Sequence, residues 1–161
     1  MNWWDDVPIT EVFPRLFVGG YIQASRLAQE NPSGIQAVLD VSTDAPWEEA
    51  PPYVEAPGIV YAHIPFHDGE EIPDQKLWDC LQFLAEQHSR HANRVLVHCA
   101  AGISRSVTIT AAFMHSTHIM DFTVALDYIK QRRPVANPAP AVLVSAKKIL
   151  RIWPYDGSFG S

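Results

Sequence analysis

The run IQAVLDVS, Ile35–Ser42, limits the fold more than any other stretch. It is of strand length and almost continuously apolar. Such a run suits a strand covered on both faces, as in a parallel sheet with helices packed on either side. RVLV, Arg94–Val97, repeats the pattern, and Arg15–Gly20 and Ile59–Phe66 read as further strands. Helix-length segments lie between and after them. Leu77, Leu81 and Leu84 sit at helical spacing from about Pro73 to Ser89. A helix is predicted from Ser104 to Ser116. Another carries Phe122, Ala125, Leu126 and Ile129, is capped at Asp121, and ends with Arg132 and Arg133 before Pro134. A last helix is predicted from Pro140 to Ile152. ASRLAQE, Ala24–Glu30, is also read as helical and is stopped by NPSG. The proline-rich residues 44–58 read as a surface loop.

Strands interleaved with helices predict an α/β fold, a single domain with a central, mostly parallel β-sheet flanked by helices. A chain of 161 residues suits that one domain. Residues 1–154 are expected to form it, with 155–161 as a flexible tail. In open sheets of this kind ligands bind at the carboxyl ends of strands.

One strand end carries unusual chemistry. RVLVHCAAGISRS, Arg94–Ser106, delivers His98 and Cys99 where the strand ends and a loop turns into a helix. Gly102 permits backbone angles that other residues avoid, and Ala100 and Ala101 let a ligand approach the backbone closely. Successive amides and a helix N-terminus then form a cradle for an anion, most naturally phosphate. Arg105 can grip two phosphate oxygens with its planar fork. The same positive field favours the thiolate of Cys99 and makes it a nucleophile.

HCAAGISRS resembles the H-C-x5-R-[ST] signature of cysteine-dependent protein tyrosine phosphatases, and its AGISRS portion is most similar to the dual-specificity branch. FPRLFVGG resembles that family's opening strand, IPFHDGEEIP its acid loop, and IKQRRPVANP the segment after its penultimate helix. The resemblance implies that Cys99 attacks phosphorus and that Arg105 binds substrate and transition state. It implies that the amides of Ala100, Ala101, Gly102, Ile103, Ser104 and Arg105 hold the phosphate oxygens. Ser106 then stabilises the departing thiolate, His98 orients the loop by hydrogen bonding, and Asp68 is the general acid. Arg133 is placed at the pocket rim, against a second phosphate.

Plainer readings exist for several of these residues. Asp68 precedes Gly69 and can be a turn residue. Arg132 and Arg133 suit a helix C-terminus. Cys80 sits on an apolar helix face and reads as core, with a redox partnership to Cys99 as the sharper alternative. Trp3, Trp4, Trp47, Trp78 and Trp153 read as packing residues. The pairs His88/His91 and His115/His118 lack a third ligand, so no metal and no cofactor is expected.

The expected activity is hydrolysis of phosphotyrosine, and of phosphoserine and phosphothreonine, in a phosphoprotein or phosphopeptide. A catalytically silent phosphate-binding scaffold is the alternative from another class. A loop without lysines argues against a phosphoinositide substrate. AAGIS lacks the His and Asn usual in relatives acting on RNA 5′-phosphates. A rhodanese-type loop needs neither the distant acid nor the serine after the arginine. Twelve basic against 18 acidic residues, a net charge of −6, argue against nucleic-acid and membrane partners. The absence of a secretory pattern and of a cysteine framework leads to the expectation of a soluble, cytoplasmic monomer.

Overall fold

The computed structural model describes residues 2–43, 56 and 58–159. Five strands form one sheet: β1 (Thr10–Phe13), β2 (Leu16–Gly20), β3 (Ala37–Asp40), β4 (Val60–His63) and β5 (Val95–Cys99). Their order is β1-β2-β5-β3-β4. β1 runs antiparallel to β2, and the other pairs are parallel. The chain is therefore a single α/β domain with a mostly parallel sheet.

β5 is the middle strand, and all its residues are buried, as are those of β3. Alternation along the strands divides the core. Leu16, Val18, Ala37, Leu39, Val95 and Val97 face the larger apolar cluster, shared with the helices α2 (Asp74–Leu84), α3 (Arg105–Ser116), α4 (Phe122–Arg132) and α5 (Pro140–Leu150). Phe17, Val38 and Leu96 face the smaller one, closed by Ala24 of α1 (Tyr21–Ser25) and by Leu27. Both faces are covered, which is why these strands carry no polar alternation. α3 is buried from Arg105 to Met114 and packs against β5, α2, α4 and α5. It is the central helix, and it begins where the Cys99 loop ends.

Several expected elements differ in extent. β1 is absent from the sequence reading, because a four-residue edge strand leaves little pattern. The helix expected at Ala24–Glu30 lies earlier, and the chain leaves it at Arg26 in tight turns. β4 is four residues, shorter than Ile59–Phe66. α2 ends at Leu84 and continues as a π-helical turn over Ala85–Arg90. Of the loop expected over 44–58, only Ala56 and Gly58 are among the described residues. Part of the segment expected as a tail makes contacts with α5. The Lys147 ammonium, 1% exposed, donates to the Ser158 carbonyl at 3.0 Å and to Asp156 Oδ1 at 3.3 Å, folding that segment back on α5.

Candidate active site

Strand register sets the floor of the site. In the parallel pairing of β2 with β5, Gly19 lies beside His98 and Gly20 beside Cys99. The loop after Cys99 folds against these glycines. A Cβ on Gly20 would stand 2.9 Å from the Ala100 carbonyl oxygen, so a larger residue there would push the loop away. Gly102 has φ +71°, and a Cβ on it would meet the Arg133 guanidinium at 2.5 Å and the Gly19 backbone at 2.7 Å. Both the backbone angle and the space demand glycine.

Each carbonyl of the loop is held from outside. Tyr21 N donates to Ala100 O at 3.0 Å, and Asn137 N donates to Ile103 O at 2.8 Å. Arg133 Nη2 donates to Ala101 O at 3.4 Å and its Nε to Gly102 O at 2.7 Å. Thr108, through N and Oγ1, donates to Ser104 O. In a trans peptide the N–H points opposite to the preceding C=O. With the carbonyls drawn outward, the amides from Ala101 to Arg105 turn toward the concavity.

That concavity is a cavity of about 260 Å³. It is smaller than the roughly 300–1,000 Å³ typical of sites for drug-sized ligands. Cys99, Ala100, Ala101, Ile103, Ser104 and Arg105 line it from the loop, Asp68 from the facing loop, and Trp4 from the N-terminal segment. Cys99 Sγ lies 3.2 Å from Ser106 Oγ. Arg105 Nη1 donates to Phe66 O at 3.0 Å and to Thr43 Oγ1 at 3.3 Å, which fixes the guanidinium between β3 and the Asp68 loop.

Asp68 is exposed, and Ser104 Oγ donates to its Oδ1 at 2.8 Å. The same hydroxyl accepts from Ala139 N at 2.8 Å. Ser104 therefore ties together the loop, the carboxylate and the start of α5. It stands at the N-cap position of α3 yet makes no cap bond, because its hydroxyl serves Asp68. Asp74 and Asp79 do not line the cavity. Asp74 opens α2, and Asp79 accepts from Gln75 Nε2 at 2.8 Å on the helix surface.

His98 Nδ1–H donates to the Cys99 carbonyl at 3.2 Å, and Nε2 stands 3.8 Å from the buried Asp40 carboxylate. Burial pushes the His98 pKa below its ordinary value, against the opposing pull of Asp40. The ring thus holds the end of β5 and faces away from the cavity.

Arg133 departs from its expected place. It is 1% exposed and lies beneath the loop, not at the rim. Besides the two loop carbonyls it holds Pro8 O at 2.8 Å and Thr10 Oγ1 at 2.9 Å. The physical reason is that Arg133 caps α4 with φ −127° and ψ 82°, so the backbone leaves the helical screw there. Trp4 also departs from a packing role, since it lines the cavity. Trp3, Trp78 and Trp153 are exposed, and Trp47 lies outside the described residues. Cys80 is core: burial pushes its thiol up to about 12, and it does not reach the cavity. The contributions of Gly19, Gly20, Tyr21 and Asn137 escaped the sequence reading. Only the paired glycines ending a strand could have signalled a close backbone approach.

The family described as dual specificity phosphatase, catalytic domain, matches residues 16–145. The chain belongs to this family. It is 34% identical over 132 residues to human dual specificity protein phosphatase 15, covering 80% of this chain and 41% of that protein. It is 34% identical over 131 residues to mouse dual specificity protein phosphatase 2, covering 80% of this chain and 38% of that protein. The chain thus spans about two-fifths of the length of these two relatives. The crystal structure of DUSP15 superimposes with a TM-score of 0.69 at 29% identity, over 89% of this chain and 93% of that one. Among the described residues, no cluster of three or more His, Cys, Asp or Glu could hold a metal ion, and no helix is long and apolar enough to cross a membrane.

Proposed function

We propose that the chain is a phosphoprotein phosphatase acting on phosphotyrosine and on phosphoserine or phosphothreonine through a phosphocysteine intermediate. One observation carries this reading: Cys99, Arg105 and Asp68 line one cavity above a loop whose carbonyls are all drawn outward. In the first step the Cys99 thiolate attacks phosphorus, and the bond from phosphorus to the leaving oxygen breaks. Asp68 gives its proton to that oxygen. The inward amides of the loop and the Arg105 fork hold the three equatorial oxygens and take up the charge of the transition state. In the second step Asp68 accepts a proton from water as the water attacks phosphorus. The sulfur–phosphorus bond breaks, and the Ser106 hydroxyl, 3.2 Å from Sγ, donates to the returning thiolate. Ser104 acts as a positioning residue that aims Asp68. A thiolate nucleophile needs a reducing setting, which supports a cytoplasmic location.

The test uses Cys99→Ser and Asp68→Asn with phosphopeptides and p-nitrophenyl phosphate. Cys99→Ser is expected to leave background turnover while still binding phosphopeptide. Asp68→Asn is expected to lose about 10²–10⁴-fold on peptides, whose alkoxide needs a proton, and much less on the activated ester. Turnover by Cys99→Ser, or an equal loss by Asp68→Asn on both substrates, would overturn these assignments.

A further inference from the structure

The cavity above Cys99 carries more apolar wall than a phosphate alone requires. Trp4, Ala100 and Ile103 supply apolar surface around Cys99, Arg105 and Asp68. Trp4 is the aromatic residue of this lining among the described residues. It comes from outside the Cys99 loop and precedes the family match, which begins at residue 16.

The segment that presents it is anchored from two sides. Trp3–Asp6 forms a 3-10 turn, and Val7 N donates to Trp4 O at 3.2 Å. Gln23 Nε2 donates to Asp5 O. Arg133 Nη1 donates to Pro8 O at 2.8 Å while its Nε holds the loop at Gly102. One buried guanidinium thus joins the indole-bearing segment to the loop, and the two keep a fixed relation. Trp3 meets Trp4 edge-on, with ring centroids 5.6 Å apart.

The geometry points to Trp4 as a specificity-determining residue that favours phosphotyrosine over phosphoserine and phosphothreonine, an inference that rests on the phosphatase reading above. An aryl phosphate bound at the loop sets an aromatic ring between phosphorus and the peptide backbone. That ring fills the apolar part of the cavity and meets the indole, an offset or edge contact that aromatic pairs favour. A phosphoserine offers one methylene there and leaves the indole wet.

Matched peptides carrying phosphotyrosine or phosphoserine test the assignment by the ratio of their kcat/KM values. The wild-type ratio is expected to favour phosphotyrosine. Trp4→Ala is expected to lower that ratio by about tenfold, chiefly through KM, and Trp4→Phe to restore most of it. A ratio unchanged by Trp4→Ala, or not rescued by Trp4→Phe, overturns the proposal. Calorimetric binding of the same peptides to the Cys99→Ser protein, with and without Trp4→Ala, gives a readout without chemistry. If the wild-type protein hydrolyses neither peptide, the phosphatase reading falls, and the binding ratio still decides the role of Trp4. Equal binding of both peptides, or binding of neither, overturns it.

Discussion

Arg133 carries its charge into the interior and pairs with no carboxylate among the described residues. Its acceptors are three carbonyls and one hydroxyl, and burial lowers its pKa while the nearby Cys99 charge opposes that shift. A cation buried among neutral acceptors is stabilised further by an anion in the cavity, whether thiolate or phosphate. Two effects compete when it is removed. Arg133→Met ends the desolvation cost of the charge but strands the buried Gly102 carbonyl, at about 1–3 kcal/mol, and three part-buried acceptors besides. The second effect wins, because several acceptors lose their donor at once. We expect Arg133→Met to lose about 3 kcal/mol in denaturant unfolding, with a parallel loss of phosphate affinity by calorimetry. Unchanged stability and affinity would show that the loop does not depend on it. The resemblance placed this arginine at a rim, since the order of residues does not reveal which way a side chain turns at a helix end.

The Cys99 loop is the element on which the site depends, and its backbone is the critical part. Gly102→Ala adds a methyl where φ is +71° and where the Arg133 guanidinium and Gly19 backbone leave no room. Residues in such conformations cost about 1 kcal/mol before any overlap is counted. We expect a loss of about 2–4 kcal/mol in thermal or chemical unfolding and turnover near background. A Gly102→Ala protein with full activity would mean that the loop relaxes freely. The loop, β5 and α3 were legible because they are contiguous, from apolar strand through small residues to helix. β1 and the shortened α1 were not, because so few residues carry little periodicity and are decided by pairing with β2 and by covering Phe17 and Val38.

Across the whole molecule, two buried histidines link stability to pH. Burial lowers the pKa of His88 and of His98 below the ordinary histidine value. His88 Nε2–H donates to Pro14 O at 2.9 Å, its own carbonyl accepts from Arg15 Nη1 at 2.8 Å, and its ring meets Phe113 edge-on at 5.4 Å. Protonation would charge an interior that holds the β1–β2 turn against α2 and α3. Above about pH 6.5 both rings are neutral whether folded or unfolded, and they add no pH slope. Below it the unfolded chain takes up protons that the folded chain resists, so stability falls as pH falls. The slope is bounded by about 1.4 kcal/mol per pH unit per histidine. Thermal melts from pH 7.5 to 5.5 should show a falling midpoint, and His88→Gln should flatten it. A midpoint that rises over this range would contradict the sign. The sequence by itself determined the parallel sheet, the place of Cys99 at a strand end and the turn from it into α3, because each depends on neighbours along the chain. Tertiary structure alone decided the rest. It brought Asp68 to Ser104 across 36 positions, set Gly19 and Gly20 under the loop, drove Arg133 beneath it and placed Trp4 at its wall. Those placements follow from strand register and side-chain direction after packing, and neither is encoded by local periodicity.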